Sequence, residues 1–352
     1  MAPSSSFRND VSPSVVIKGS GMALPPLAFT NEDICQWHGR RDPTWVYDTF
    51  GVRTRHTRYD YHHDRLDDLD EDDLVFEAAK KALKDAGMHI NDVQVILFVT
   101  LTPTTLCTPD PACILHQRLG APANVLALTH VAGCAGTLNA MMMATAMIRS
   151  GQARNVLVCA ASSMSSYIKP ELKDRVWLQA TIFGDGAAAL VLSGERTKEP
   201  VGFSNFHMHT EPGRDIVHKK FGGSKHVPTR DNIQEVLEDH FVIDYRSVPN
   251  NISQAFSRLY TEVLAAREMK EADWVLFNMS NAQLQRRWLK SVGVPEEKSF
   301  FNMEEQGNCA AASLGLVLTD FLHAGRHESG QTALILGVGS GLHSGGVLYR
   351  FP

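Results

Sequence analysis

Residues 129–139 read Thr-His-Val-Ala-Gly-Cys-Ala-Gly-Thr-Leu-Asn and lie between the apolar run 125–128 and a long helical pattern. This order predicts a strand-to-helix turn that carries Cys134. A thiol at such a turn lies at the positive end of a helix dipole, so we expect a lowered pKa and a nucleophilic thiolate. Gly133 and Gly136 would let a substrate carbonyl approach the backbone closely. The alternative interpretation is a small buried cysteine that packs between strand and helix.

The pattern around Cys134 occurs twice in the chain. Each copy has an acidic residue before an apolar strand, then a glycine-containing turn that opens a helix, then another apolar strand. The first copy comprises 92–100, 133–151 and 155–160, and the second comprises 273–281, 307–325 and 332–337. We therefore predict one α/β unit used twice, as an N-terminal half over 13–195 and a C-terminal half over 196–352. Residues 200–250 are predicted to form an elaborated connection that covers the active site.

Composition limits the class of protein. The chain has 352 residues, 43% of them hydrophobic and 21% charged, which is typical of a globular protein with a substantial core. Its net charge of −5 argues against a nucleic-acid partner, since phosphate binding needs a basic face. No apolar run approaches the roughly 18 residues that span a bilayer, so we expect no membrane partner. Residues 1–8 lack the apolar core of a secretory signal and are predicted to form a short disordered arm.

The spacing of potential ligands indicates no metal site. The six cysteines are scattered, without the pairs or His/Cys clusters of zinc sites, and reduced thiols in a cytoplasmic protein fit best. The acidic run 67–73 precedes a helical pattern over 74–87 and is predicted to be the solvated entry of that helix. His56, His62 and His63 lack ligand spacing.

Several segments of the chain resemble one known family. They are Gly51-Val-Arg-Thr-Arg-His, Phe183-Gly-Asp-Gly-Ala-Ala-Ala-Leu-Val-Leu, Gly307-Asn308-x-Ala-Ala-Ala-Ser and Gly337-Val-Gly-Ser-Gly-Leu. With Cys134, they resemble the thiolase superfamily, specifically its β-ketoacyl-acyl-carrier-protein synthase III-like branch. The resemblance covers nearly the whole chain. It implies a five-layered αβαβα fold built from two similar halves, a homodimer, acyl transfer through an acyl-cysteine, and no cofactor beyond pantetheine-linked thioester substrates.

The resemblance also implies a set of site residues. Cys134 would be the nucleophile, and the backbone N–H groups of Cys134 and Ser340 would bind the oxyanion. Asn308 keeps the catalytic asparagine of the family. Where the family has His-Gln-Ala-Asn, this chain reads Asn278-Met-Ser-Asn281, so the catalytic histidine position is Asn278 and Asn281 keeps the substrate-binding asparagine.

The replacement at Asn278 changes the expected chemistry. Asparagine can donate a hydrogen bond to an enolate oxygen but cannot carry a proton near neutral pH. We expect that acylation of Cys134 survives and that decarboxylation of a malonyl acceptor is impaired. The second half-reaction would then be acyl transfer to an O, N or S acceptor, or condensation with an activated carbon. His343, just past the glycine loop, is a candidate alternative base, whereas His130 is interpreted as a satisfied strand-end histidine and Cys309 as helix-start packing.

The residues expected to bind the thioester donor also depart from the family pattern. Trp45 matches a tryptophan that stacks on coenzyme A, but the nearby basic positions read Thr49 and Gln283. Their loss favours an acyl-carrier protein over a free coenzyme A thioester. A basic surface for an acidic carrier could come from Arg286, Arg287 and Lys290, although an ordinary solvated helix face explains these residues equally well.

Two functional classes therefore compete. The leading one is an acyltransferase of the 3-oxoacyl-acyl-carrier-protein synthase III type, in fatty acid, polyketide or other specialised biosynthesis. The alternative is a non-catalytic thiolase-fold partner subunit of a heteromeric synthase, which Asn278 favours and the intact Cys134 opposes. A biosynthetic thiolase fits less well, because its second catalytic cysteine cannot be assigned.

Overall fold

The computed structural model of the chain describes residues 13–39, 42–105, 108–211, 217–221, 223–244, 246–278, 281–340 and 342–352. The predicted N-terminal arm, 1–8, lies outside the described residues, as do 279–280 and 341 beside the predicted site. Among the described helices, none is long and apolar enough to cross a membrane.

The strands, in chain order, are β1 (Ser14–Ala23), β2 (Ala28–Thr30), β3 (Thr54–His56), β4 (Tyr59–Asp60), β5 (Arg65–Leu66), β6 (Val95–Thr100), β7 (Leu126–Val131), β8 (Asn155–Ser163), β9 (Asp185–Glu195), β10 (Gly202–Phe203), β11 (His207–Thr210), β12 (Val217–His218), β13 (Val242–Ile243), β14 (Trp274–Phe277), β15 (Thr332–Gly339) and β16 (His343–Arg350). The α-helices are α1 (Asn31–His38), α2 (Pro43–Phe50), α3 (Glu71–Asp85), α4 (Pro111–Arg118), α5 (Gly136–Arg149), α6 (Lys173–Ile182), α7 (Ile233–Leu237), α8 (Val248–Ala265), α9 (Ala282–Ser291), α10 (Met303–Gln306) and α11 (Ser313–His323).

Two five-stranded sheets organise the molecule. The first has the order β1-β9-β8-β6-β7, with β6 parallel to both β7 and β8. The second has the order β10-β16-β15-β14, with β11 also paired to β16, and its β14 and β15 are parallel. In both sheets the second parallel strand is followed by an antiparallel neighbour, β9 in the first and β16 in the second. The units β6-α5-β8 and β14-α11-β15 are therefore the two copies of the predicted repeat.

The helices and sheets stack in five layers. Helices α5 and α11 lie between the two sheets and contact both of them. Helices α3 and α4 cover the outer face of the first sheet, and α8 and α9 cover the outer face of the second. The central strands β6 and β8 are buried along their whole length, which explains their nearly continuous apolar sequences. The predicted αβαβα fold is confirmed.

The acidic run 67–73, which continues into the first turn of α3, differs from its prediction. Asp70 caps the helix in a capping box with Asp73, as expected of an acidic entry. Glu71 and Asp72, however, are buried and not solvated. Thr102 Oγ1 donates to Glu71 at 2.5 Å, and burial raises the pKa of the Glu71 carboxyl to about 8. The helix entry packs against the segment that follows β6, where Thr102 hydrogen-bonds to Glu71 and Thr104 to Asp72.

Candidate active site

A cavity of about 450 Å³ lies between the two halves and brings most predicted site residues together. Cys134, Asn278, Asn308 and Ser340 all line it. The two asparagines are buried, whereas Trp45 and Arg287 on the same wall are exposed. The cavity therefore runs inward from an opening near Trp45 and Arg287 to the polar group around Cys134.

Cys134 lies in the tight turn between β7 and α5, as the sequence predicts. A Cβ atom added at Gly136, the first residue of α5, would lie 2.4 Å from Val99 Cγ1. Only glycine allows the helix to start this close to β6. The Cys134 side chain is half-buried, so it is accessible from the cavity and is not sealed in the core.

The thiol is less acidic than predicted. Desolvation raises the pKa of Cys134 to about 11, and a hydrogen bond from its own backbone amide opposes this only in part. The favourable end of a helix dipole is typically worth about 0.3–1 kcal/mol, and a thiolate within an apolar wall loses more than that in hydration. The expected lowering of this pKa is wrong. At neutral pH Cys134 is a neutral thiol.

The end of β15 lies directly against the backbone of the nucleophile. A Cβ atom at Gly339 would be 2.6 Å from the Ala135 nitrogen and 3.2 Å from the Cys134 nitrogen. Ser340 Oγ lies 3.0 Å from the position of a Cβ atom on Gly133. The backbones of Cys134 and Ser340, whose N–H groups are predicted to bind an oxyanion, thus meet at the inner end of the cavity.

Asn278 uses its amide to join two parts of the backbone. Its Nδ2 donates to the carbonyl oxygens of Cys134 and Val338, each at 3.1 Å. Its Oδ1 accepts from the Val338 N–H, also at 3.1 Å. Both N–H bonds of the side chain are therefore occupied by protein carbonyls, although the residue lines the cavity. The sequence predicts the place of Asn278 but not these contacts.

The side chain of Asn308 makes its contacts with the protein through its oxygen and not through its nitrogen. Its Oδ1 accepts from the Ala310 N–H at 2.9 Å and from Ser313 Oγ at 3.0 Å. Ala310 has a positive φ of 43°, a costly conformation for a residue with a Cβ, which permits this tight turn. With the oxygen held, the Asn308 Nδ2 group has no partner among the described residues, so Asn308, unlike Asn278, can donate to a ligand.

The predicted substrate-binding residues occupy the outer part of the site. Trp45 stands edge-on to Phe50, with ring centroids 5.7 Å apart, and 43% of it is exposed. Asn281 lines the cavity and also caps α9, its Oδ1 accepting from the Leu284 N–H at 2.6 Å. Gln283 donates to the Tyr47 carbonyl and joins α9 to α2.

The structure does not bring His343 into the site. It is the first residue of β16, is exposed, and shares a 3.2 Å hydrogen bond with Thr210. The hairpin pairing of His343 with Gly339 accounts for this, since it carries the side chain to the surface beside β11. His130 likewise does not line the cavity and lies 3.4 Å from the Asn139 amide. Cys309 is buried in the core, as a packing role requires.

The connection between the halves contributes to the cavity wall, as predicted. Val217 and Ile243, in the paired strands β12 and β13, line the cavity together with Val248 and Ile252 of α8. The sequence gives little sign of these contacts, because the segment has weak periodicity. Among the described residues no group of three or more His, Cys, Asp or Glu side chains is arranged to hold a metal ion.

Comparisons with known proteins agree with this architecture. Residues 130–212 match the family described as 3-oxoacyl-acyl-carrier-protein (ACP) synthase III, and residues 264–351 match its C-terminal counterpart. Curated relatives include the β-ketoacyl-acyl-carrier-protein synthases III of Neisseria gonorrhoeae, 29% identical over 344 residues, and Clostridium perfringens, 28% identical over 336 residues. These alignments cover 95% and 94% of this chain, respectively, and 98% of each relative.

A solved structure shows the same fold. The 3-oxoacyl-acyl-carrier-protein synthase III of Aquifex aeolicus is 25% identical and superposes with a TM-score of 0.82, over 96% of this chain and 100% of that chain. The family matches cover the turn of Cys134 in one half and the segment of Asn278 and Asn308 in the other. The chain therefore belongs to the thiolase superfamily, in its 3-oxoacyl-acyl-carrier-protein synthase III-like branch.

Proposed function

We propose that this protein is an acyl-transferring condensing enzyme that forms an acyl-Cys134 intermediate from a thioester donor and passes the acyl group to a second substrate. The observation that carries the proposal is one open cavity lined by Cys134, Asn308 and Ser340, in which the backbone at Gly339 and Ser340 lies against the turn of Cys134. The names of the curated relatives, β-ketoacyl-acyl-carrier-protein synthases III, support the same class of reaction.

In the first half-reaction the Cys134 thiolate attacks the donor carbonyl. The tetrahedral oxyanion accepts hydrogen bonds from the backbone N–H groups of Cys134 and Ser340, and the donor leaves as a thiol. The leaving thiolate takes up the proton that Cys134 released, so no net proton transfer to a protein base is required. A neutral resting thiol makes this step slow at low pH but does not prevent it.

The donor is proposed to be an acyl-carrier protein or coenzyme A thioester, with the carrier protein favoured. The opening is lined by Trp45, Thr49 and Arg287. Arg286 is paired with Glu296 and Glu304, whereas Arg287 has no acidic partner among the described residues. One unpaired cation at the opening suits the single phosphate of a pantetheine arm better than the several phosphates of coenzyme A.

Intact-mass spectrometry tests the acyl-enzyme directly. Incubation with a panel of acyl-carrier-protein and acyl coenzyme A thioesters should add one acyl mass to the native chain and none to Cys134→Ala. Cys113→Ala, which removes an exposed thiol of α4 outside the cavity, is the matched control and should be acylated like the native chain. The rate should rise about tenfold per pH unit from 7 towards 10, because the thiol pKa of about 11 leaves the thiolate fraction proportional to hydroxide there.

The opposite result would support the alternative function. If no thioester in the panel modifies the native chain at any pH, the acyl-enzyme proposal fails and a non-catalytic partner subunit replaces it. Modification that persists in Cys134→Ala would place the nucleophile elsewhere.

A homodimer is the proposed assembly, and β7 is its proposed interface. This strand forms one edge of the first sheet and exposes three large apolar residues, Leu126, Leu128 and Val131. An exposed apolar edge is a template for pairing with another chain. Sedimentation should show a dimer that Leu128→Lys converts largely to monomer, while Leu66→Lys, at a similarly exposed leucine of β5, leaves it intact. A native monomer would contradict the assembly.

A further inference from the structure

The described part of the cavity wall offers hydrogen-bond donors and a positive charge but no side-chain base. Among the described residues that line it, the ionisable groups are Cys134 and Arg287, with no His, Asp, Glu, Lys or Tyr. An acceptor that must lose a proton to become a nucleophile would therefore receive no help from these side chains. The acceptor has to reach acyl-Cys134 already nucleophilic.

The same wall offers little stabilisation for the enolate of a simple thioester. Both N–H bonds of Asn278 are taken by the carbonyls of Cys134 and Val338, so of the two buried asparagines in the wall only Asn308 has an amide N–H available to a substrate. Loss of one donor aimed at a developing oxyanion typically slows a reaction about 100- to 1000-fold. Decarboxylation of a malonyl thioester places its charge on one oxygen and depends heavily on such donors. A carbanion that spreads its charge over two carbonyl groups depends on them much less.

Other acceptor classes fit less well. An alcohol needs a base. An amine is a cation at neutral pH, and the charged residue that lines this cavity is Arg287. A thiol, like an alcohol, must lose its proton before it attacks, and the described lining residues include no base for this. An anionic oxygen, in contrast, can accept a hydrogen bond from Asn308 Nδ2 and lies in a cavity of favourable charge.

We propose that the acceptor is a preformed enolate of a β-dicarbonyl compound, such as a β-ketoacyl thioester, and that the second half-reaction is a condensation without loss of carbon dioxide. This inference rests on the proposed acyl-enzyme and names the class of its second substrate. Asn278 is then a positioning residue, which holds the Cys134 carbonyl against the end of β15.

The atoms of this step balance without an added reagent. The central carbon of the enolate attacks the carbonyl of acyl-Cys134, and a carbon–carbon bond forms. Collapse of the tetrahedral oxyanion breaks the carbon–sulfur bond and releases the Cys134 thiolate. The new product carries an acidic proton between its carbonyl groups. The thiolate takes this proton, which regenerates the neutral thiol and leaves the product as an enolate.

Discharge of the acyl-enzyme by defined acceptors tests the proposal. The native protein is first loaded with a donor that gives the Cys134 adduct, and the adduct is confirmed by intact mass before any acceptor is added. Acetoacetyl-N-acetylcysteamine is then compared with malonyl-N-acetylcysteamine, a primary amine and a primary alcohol. We expect the acetoacetyl thioester to discharge the adduct at least tenfold faster than the others and to give a C-acylated product by mass spectrometry.

A matched acceptor isolates the role of the enolate. 2,2-Dimethylacetoacetyl-N-acetylcysteamine has the same functional groups but no proton between its two carbonyls, so it should not discharge the adduct. Faster discharge by the malonyl thioester with release of carbon dioxide would overturn the proposal. So would discharge led by the amine or the alcohol, discharge by the dimethyl compound, or an adduct that the acetoacetyl thioester leaves intact. Because loading is measured first, none of these results can be confused with failure of the acyl-enzyme itself.

Discussion

Gly339→Ala is expected to slow acylation of Cys134 by at least about 100-fold, the usual cost of losing one oxyanion donor. The new methyl group would lie 2.6 Å from the Ala135 nitrogen and 3.2 Å from the Cys134 nitrogen. The nearest atoms are the backbone nitrogens of Ala135 and Cys134, which cannot rotate away, so relief requires β15 to move away from the turn of the nucleophile. That movement separates the Cys134 and Ser340 backbones and displaces Val338 from Asn278. The rate of adduct formation by intact-mass spectrometry measures the effect.

A second glycine provides the control for this prediction. A Cβ atom at Gly223 would meet no atom of the described residues within 4 Å, so Gly223→Ala should acylate at the native rate. Thermal unfolding of both variants separates a local effect from loss of the fold. A folded Gly339→Ala protein that acylates as fast as the native chain would show that close approach of β15 is unimportant for the chemistry.

Asn308→Asp should leave acylation within a few-fold of native but slow discharge to an acceptor by about 100- to 1000-fold. The aspartate can still accept hydrogen bonds from the Ala310 N–H and Ser313 Oγ, so the turn is retained. It replaces the Nδ2 donor by an oxygen that repels an enolate. Intact-mass spectrometry measures the rate of acylation and the rate of discharge separately, so it shows which half-reaction the substitution slows.

The matched control for Asn308 is Ser313→Ala. It removes one of the two hydrogen bonds that hold the amide but leaves the donor itself, so discharge should fall less than tenfold. Equal loss of acylation and discharge in Asn308→Asp would indicate that Asn308 serves the fold and does not contact the acceptor.

The parts of this molecule that depend on local sequence could be predicted. The turn at Cys134 and its counterpart at Asn308 each carry their own glycine, strand and helix, so the repeat reveals both positions and the layered fold. The contacts of Asn278 could not be predicted in the same way. Its partners Cys134 and Val338 are 144 and 60 residues away in the chain, and only the folded structure brings them together.

The errors have a common physical cause. The helix N-terminus beside Cys134 is visible in the sequence, but the apolar cluster against which Cys134 packs comes from distant elements and includes Ile182 and Phe183 at the end of α6. Glu71 is read as solvated because its neighbours are acidic, yet tertiary packing buries it. In both cases burial by residues that are distant in the chain sets the pKa of the group. The neighbouring residues in the sequence do not show this burial.

The hydrogen bonds of Asn278 also limit which side chains position 278 can accept. A neutral histidine has one N–H donor and one ring nitrogen acceptor, so it cannot satisfy the two carbonyls and the N–H that the amide now serves. Asn278→His would leave at least one buried backbone group without a partner, at a cost of about 1–3 kcal/mol. A histidine at position 278 would therefore also require compensating changes along β15.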